Sequence, residues 1–214
     1  MDQGKERLDF QEEHHAYWWD GMYYVPSVTQ ILDANEHVSK FCKSASHADK
    51  GKEIHDMISL FIDSKISKKR MMEESKNRLD VLSMLYREEL NQFEEFCSNF
   101  TITFLSSEKT SYGYLHEGLG DIPDWAGTTD IIAMVNGEPA IIDVKTGASI
   151  PPHARLQTAA YVLSEFPLDY DSVQRFALRI NTKTKKYKTV PYTNLEDYEE
   201  WRNECRRYHR NNPR

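Results

Sequence analysis

The sequence predicts an α/β (α+β) fold, in which helices flank a small mixed central β-sheet. Two observations predict it. Helical periodicities alternate along the chain with short apolar runs of strand length. The 214 residues, 39% hydrophobic and 29% charged, suit a single globular domain. No run approaches the roughly 18 apolar residues of a membrane-spanning helix, so we expect no membrane partner.

The N-terminal part is predicted to hold a hairpin followed by two helices. Asp20-Gly21 lies between aromatic runs, which is a strong hairpin signal. Ser27 and Gln30 fit a capping box at the start of a helix. Residues 47–64 carry apolar side chains at helical spacing and predict a longer helix.

The middle of the chain is predicted to form a long helix and a three-stranded unit. Residues 72–99 are rich in Glu, Leu and Met and predict one helix. Residues 101–112 suit a strand, and a glycine-rich loop is expected over 113–127. Two further strands, 128–135 and 139–146, flank Asn-Gly.

The C-terminal part is predicted to contain a helix, a second hairpin and a closing helix. Residues 153–165 and 195–210 are the helices, and strands 174–181 and 185–191 form the hairpin. We expect one domain throughout, with an N-terminal region (1–49), a core (50–165) and a C-terminal region (166–214).

Charge is unevenly distributed along the chain. The formal net charge of −7 argues against a nucleic-acid partner when it is taken as a whole. Residues 171–214, however, carry eleven basic and six acidic side chains, and a basic cluster lies at 65–70. These segments are most simply solvated surfaces, but together they leave room for a basic track beside an acidic centre.

The three cysteines are scattered, at Cys42, Cys97 and Cys205. They favour a reducing compartment, and we expect the cytoplasm. Their spacing supports neither a disulfide framework nor a structural zinc site.

One predicted hairpin places acidic side chains together. With Asn136-Gly137 as a two-residue turn, Asp130 faces Asp143, with Cβ atoms about 4.5–5.5 Å apart. Lys145 lies two residues further on and points to the same face. Like charges in facing positions are destabilising, so this arrangement favours a bound divalent cation such as Mg²⁺. The simpler alternative is a pair of solvent-exposed strand-end carboxylates with a surface ion pair.

The opposite face of this hairpin is wholly apolar and is predicted to be core. Its side chains are Ile131, Ala133, Val135, Ala140, Ile142 and Val144.

Gly127-Thr-Thr-Asp130 followed by Asp143-Val-Lys145 resembles the motifs of the PD-(D/E)xK nuclease superfamily, in its RecB-like and phage exonuclease branch. Three further segments agree with this resemblance, which covers about residues 24–32 and 50–165. They are Gly51 to His55, Gln157 to Tyr161, and the Pro-Ser-Val-Thr run after Val25. Pro123-Asp124 spells the family dipeptide, but it precedes the strand, so we assign the first carboxylate to Asp130.

The resemblance implies a restriction-endonuclease-like core and a site for one or two Mg²⁺ or Mn²⁺ ions. Asp130, Asp143 and the carbonyl of Val144 would be metal ligands, joined by His55 on the early helix. Glu108 would reach the cation directly or through water, although a simple surface role for this side chain fits equally well.

The resemblance also implies roles in catalysis and DNA binding. Lys145 would orient or help deprotonate the attacking water, and Gln157 and Tyr161 would contact Lys145, phosphate or the scissile strand. Tyr161 also fits a core-packing role. The expected DNA contacts are Lys50, Lys52, Arg155 and Tyr161.

The activity that the resemblance implies is a metal-dependent DNA exonuclease in phage DNA recombination, repair or processing. Its partners would be single- or double-stranded DNA ends, with a recombination or single-strand-binding protein as a further candidate. Only Cys205 follows the core, so no four-cysteine iron–sulfur cluster is expected. Two alternatives stay open, a structure- or sequence-specific endonuclease and a catalytically silent DNA-binding module, as does the oligomeric state.

Overall fold

The computed structural model describes residues 7–11, 16–35, 45–66, 72–115, 121–181 and 183–213. Helices and two β-sheets alternate through these residues, which confirms the α/β class. The strands are β1 (Leu8–Gln11), β2 (Ala16–Trp19), β3 (Tyr23–Val25), β4 (Ile102–Gly113), β5 (Trp125–Val135), β6 (Glu138–Lys145), β7 (Gln174–Arg179) and β8 (Lys188–Pro191). The helices are α1 (Val28–Ala34), α2 (Ala45–Ile66), α3 (Glu73–Leu85), α4 (Arg87–Asn99), α5 (Ala154–Glu165) and α6 (Glu196–Asn211).

The central sheet is mixed and has the strand order β4-β5-β6-β7-β8. Only β6 and β7 run parallel, and the other neighbours are antiparallel. A parallel pair needs a crossover connection, which α5 supplies here. Lys145 is the last residue of β6. The start of α5 therefore lies at the same end of the strands as Lys145.

Two hydrophobic cores cover the two faces of the sheet. The predicted apolar face of the β5–β6 hairpin packs against α2 and α4, with Phe93 and Phe96 fully buried. The other face is also buried near the turn, where Ile132 and Ile141 pack against α1, α5 and α6. Residues of the acidic face are therefore enclosed by a second layer of helices, which the sequence pattern did not indicate.

The N-terminal strands form a separate sheet in the order β1-β2-β3. The predicted hairpin is confirmed, and Asp20 and Gly21 both have left-handed φ, 52° and 67°. Trp19 pairs with Tyr23, so the connection is the three residues 20–22. The capping box at Ser27 and Gln30 is confirmed as well. A parallel bridge between Ser27 and Ala126 connects this sheet to the beginning of β5.

Some predicted boundaries were wrong. The helix predicted over 72–99 is two helices, because Tyr86 leaves helical geometry at φ −118° and ψ 40°. Its hydroxyl donates to Glu53 of α2, and this contact fixes the break. The boundary proposed at residue 49 falls inside α2, and β1 was not predicted. β4 and β5 also extend into the predicted loop, to Gly113 and from Trp125.

Among the helices in the described ranges, none combines the length and the apolar character that a membrane crossing requires.

Candidate metal centre

The turn of the β5–β6 hairpin has the predicted geometry. Asn136 and Gly137 have φ of 53° and 90°, as a type I′ turn requires. The observed register pairs Ile131 with Ile142, which is the register predicted from the turn. Asp130 is the next residue toward the open end on β5, and Asp143 is the next on β6.

The two strands stop pairing just before the two aspartates. The β5–β6 ladder ends at Ile131 and Ile142, while β5 continues to pair with β4 as far as Trp125. We call this point, where β5 and β6 diverge, the fork. Beyond it, the Ala126 amide donates to the Pro26 carbonyl in the segment after β3. The Asp130 carboxylate accepts from the Val144 amide across this gap, and Asp143 is buried beside it.

Asp130, His55 and Glu108 meet at this fork. Asp130 Oδ1 lies 3.5 Å and Glu108 Oε1 lies 3.7 Å from His55 Nδ1. One donor atom from each of the three residues falls within 4.8 Å of the others. Two carboxylates and an imidazole are ligands suited to Mg²⁺ and Mn²⁺, so these side chains fit a divalent cation.

Glu108 owes its position to a distortion of β4. Its φ is +43°, in the left-handed region that non-glycine residues seldom adopt. It lies between the register pairs Ser107–Ile131 and Lys109–Thr129, and therefore opposite Asp130. A register shift between Phe104 and Ser106 precedes it. Such strain is retained where a local conformation is needed, and the sequence carries no signal for it.

His55 reaches the site because α2 lies close to the end of β6. Gly51, one turn earlier on α2, allows this approach: a Cβ there would lie 3.1 Å from Thr146 Oγ1. This close approach is a physical reason for the glycine that precedes His55 in the predicted motif.

Charge at the site changes the protonation of His55 and Asp130. Burial lowers the pKa of His55, but the carboxylates of Asp130 and Glu108 outweigh it and raise the pKa from 6.5 to about 10. Burial alone would raise the pKa of Asp130; His55, Lys145 and the Val144 amide overcome this and lower it. Without a bound cation, the site therefore holds a protonated imidazole beside an ionised carboxylate.

Asp143 begins a second chain of contacts. Lys145 Nζ lies 2.8 Å from both Asp143 carboxylate oxygens and donates to Gln157 Oε1 at 3.0 Å. Gln157 in turn donates to the Tyr161 hydroxyl at 3.0 Å. Burial is the main reason that the pKa of Asp143 rises to about 6; Lys145 opposes the rise and Asp130 adds to it. Asp143 thus contacts Lys145 rather than the group of three described above.

The ring of Tyr161 occupies the space beside Gly127. A Cβ at Gly127 would lie 2.8 Å from Tyr161 Cε1, so only glycine accommodates the ring without a shift. Burial, with the charges of Asp143 and Asp130, raises the pKa of Tyr161 well above 10. Its hydroxyl is therefore a neutral hydrogen-bonding group, and both roles predicted for Tyr161, packing and site contact, are compatible with this position.

The structure also shows a contact of the Val144 amide, which donates to Asp130 Oδ2 at 2.6 Å. This bond fixes the Asp130 carboxylate across the fork. The metal contact that the resemblance implies for the Val144 carbonyl stays a prediction.

The predicted DNA contacts on α2 lie outside this group. The Lys50 ammonium lies 3.0 Å from Glu89 of α4 and over the ring of Tyr86 at the break between α3 and α4, so it already has partners within the fold. Lys52 is exposed on the same helix. The basic cluster at 65–70 extends beyond Ile66, and its remaining residues fall outside the described ranges.

Arg155 and Asp124 have contacts within the fold. Arg155 bonds Asp197 and Glu200, and so joins α5 to α6. Asp124 precedes β5, as predicted, and accepts from the Leu115 amide at 2.8 Å.

Sequence reasoning missed one pair of hydroxyl groups beside the site. Tyr17 Oη and Thr128 Oγ1 are 3.0 Å apart, which connects β2 to the Gly-Thr-Thr-Asp segment. Tyr17 is distant in the sequence and lies in a run of aromatic residues, so no local pattern distinguishes it.

Comparisons with known proteins give no assignment. No protein-family profile matches the chain, and no curated protein matches it either. Among solved structures, it is similar to the crystal structure of SSO0001 at 14% identity and a TM-score of 0.38, over 84% of this chain and 81% of that one. A similarity this low supports no conclusion about activity.

Proposed function

We propose that this protein is a metal-dependent deoxyribonuclease, acting as an exonuclease in DNA recombination, repair or processing. The observation that carries the proposal is the fork between β5 and β6. There the group formed by His55, Glu108 and Asp130 adjoins the chain of contacts from Asp143 through Lys145 to Gln157. The resemblance of these residues to PD-(D/E)xK motifs adds the substrate class.

Each side chain has a role that its contacts support. His55, Glu108 and Asp130 would hold a Mg²⁺ or Mn²⁺ ion, and Asp143 adjoins them as a candidate for a second ion. Such an ion, when bound, supplies a Lewis acid that polarises a phosphodiester and favours ionisation of water. The Val144 amide keeps the Asp130 carboxylate in place through its 2.6 Å bond.

Lys145 is the group that would act on the reacting atoms. Asp143 and Gln157 hold its ammonium group from two sides, at 2.8 and 3.0 Å. In this position it can orient the attacking water and offset charge that develops on the phosphate. Gln157, held in turn by Tyr161, positions the ammonium group rather than taking part in proton transfer.

End-labelled linear DNA provides the direct test. Wild-type protein should cut single- or double-stranded DNA with Mg²⁺ or Mn²⁺ and not with EDTA. Lys145→Ala should lower the rate by at least about 100-fold, a typical loss for a group that stabilises the transition state. Lys185→Ala is a control, because this exposed lysine pairs with Glu88 on α4. Metal-dependent cutting that survives Lys145→Ala would disprove the assignment.

The same assay separates the alternative activities. An exonuclease should degrade linear DNA and leave covalently closed circles intact, whereas an endonuclease should cut both. Protein that binds DNA but cuts neither DNA nor RNA with Mn²⁺ would instead be a silent binding module.

A further inference from the structure

Three basic side chains form one row across the end of the central sheet. Lys145 on β6 pairs with Arg179 on β7, and Arg179 pairs with Lys188 on the edge strand β8. Side chains at paired positions of neighbouring strands lie on the same face of a sheet. The basic row, defined as Lys145, Arg179 and Lys188, therefore leads from the candidate metal centre to the edge of the sheet.

The Arg179 guanidinium is held in place, but only some of its N–H donors have hydrogen-bond partners. Its Nη1 donates to the carbonyl of Ala148, at 2.7 Å, in the loop that follows Lys145. Its Nε is buried and has no hydrogen-bond partner among the described residues. A guanidinium group carries five N–H donors, so most of them are left for a ligand or solvent.

The charges along β7 show that Arg179 differs from a structural arginine. Arg175, four residues earlier on the same face, is buried and pairs with Asp197 at 2.9 Å. Lys145 pairs with Asp143. Within the described ranges, no acidic side chain pairs with Arg179 or Lys188. Two cations in facing positions repel each other, and an anion between them would relieve this repulsion.

We propose that the basic row binds the phosphate backbone of a DNA strand, with Arg179 and Lys188 contacting phosphates next to the one cut at Lys145. This inference rests on the proposed nuclease function and gives the path of the strand, from the fork across β7 to the β8 edge. Neighbouring strands are about 4.8 Å apart, so the row spans roughly 10 Å. That length corresponds to about three stacked nucleotides at roughly 3.4 Å each.

Binding of a fluorescent oligonucleotide, with Ca²⁺ in place of Mg²⁺, tests the path. Arg179→Ala and Lys188→Ala should each weaken binding about 3- to 10-fold and reduce the salt dependence by about one phosphate contact. Arg179→Lys should recover part of the loss. Lys185→Ala is the matched control, because this lysine precedes the same strand but lies 3.3 Å from Glu88. It should change the affinity by less than about twofold.

A chemically modified strand separates phosphate binding from a purely structural role. A single uncharged methylphosphonate linkage, placed one or two nucleotides from the cut, should weaken binding by wild type and by Lys185→Ala. It should have little further effect on Arg179→Ala or Lys188→Ala, because the contact that it removes is already absent. If the loss of affinity from the methylphosphonate linkage adds in full to the loss from Arg179→Ala and from Lys188→Ala at every linkage position, the proposal is overturned.

The outcomes also separate this proposal from the nuclease function. Wild-type affinity and salt dependence in both alanine variants would overturn the path while leaving cutting intact. Protein that binds DNA through the row but never cuts it would overturn the nuclease function alone, and protein that binds no DNA would overturn both. If Arg179→Ala does not fold, Lys188→Ala decides the result, since its side chain is exposed on an edge strand.

Discussion

The protonation of His55 is the residue-scale property that most affects the candidate site. Its imidazole faces the carboxylates of Asp130 and Glu108, which hold the proton at neutral pH. A metal ligand must be the neutral imidazole, so a cation and a proton compete for this side chain. The site therefore holds either the proton on His55 or a bound cation, but not both.

Cation binding should release close to one proton at neutral pH. With the pKa of His55 at about 10, the affinity for Mn²⁺ should rise with pH, about tenfold per unit between pH 6.5 and 8.5. Calorimetry in buffers of different ionisation enthalpy measures both quantities. An affinity that stays constant over this range would contradict the assignment of His55 as a ligand.

Two variants serve as controls for this measurement. His55→Gln should remove the dependence on pH. Asp130→Asn should weaken cation binding at every pH, because it removes a charged ligand, and unchanged binding would contradict the site.

At the scale of elements, β4 is distorted to bring Glu108 opposite Asp130. At an ordinary strand position, glycine is less stable than alanine by about 0.5–1 kcal/mol. At Glu108 the order should reverse, because the φ of +43° is costly for any residue with a Cβ. The effect of the backbone conformation at residue 108 can therefore be measured separately from the effect of the carboxylate.

Glu108→Gly should be more stable than Glu108→Ala by about 0.5–1 kcal/mol. Both variants lack the carboxylate, so the difference reports the backbone alone. Urea unfolding measures it, and the same pair of substitutions at Thr103, an exposed β4 residue outside the left-handed region, should show the opposite order. The same order at both positions would mean that Glu108 is unstrained.

The hairpins and the register of the acidic face could be predicted because they depend on local chemistry. Asn136-Gly137 determines its own turn, and the turn determines the β5–β6 register. The break at Tyr86 and the conformation of Glu108 could not be predicted, because contacts with α2 and with β5 impose them. The position of His55 beside Asp130 followed only from the family resemblance, since no local pattern connects residues so far apart.

At the scale of the whole molecule, one buried acid joins three elements. Asp197 near the start of α6 accepts from Arg175 on β7, at 2.9 Å, and from Arg155 on α5, at 2.6 Å. Arg175 also donates to the carbonyl groups of Arg155 and Asn194. This network fixes α5, which carries Gln157 and Tyr161, against the sheet.

Asp197→Ala should destabilise the fold by about 3–5 kcal/mol, because it leaves the buried Arg175 guanidinium without its counter-charge. Urea unfolding measures the change. Glu196→Ala, at the exposed neighbouring position, should cost less than about 1 kcal/mol. Equal losses in the two variants would show that the network contributes little to stability.

The positions of the four tryptophans determine what fluorescence can report about this molecule. Trp125 and Trp201 are buried and in edge-to-face contact, with ring centroids 5.6 Å apart, in the core shared by α1, α5 and α6. Trp18 and Trp19 lie in the N-terminal sheet. The phenylalanine-rich core beneath α2 and α4 contains none of them. Emission spectra would therefore follow one side of the sheet and miss loosening of α2, which circular dichroism of the helices would detect.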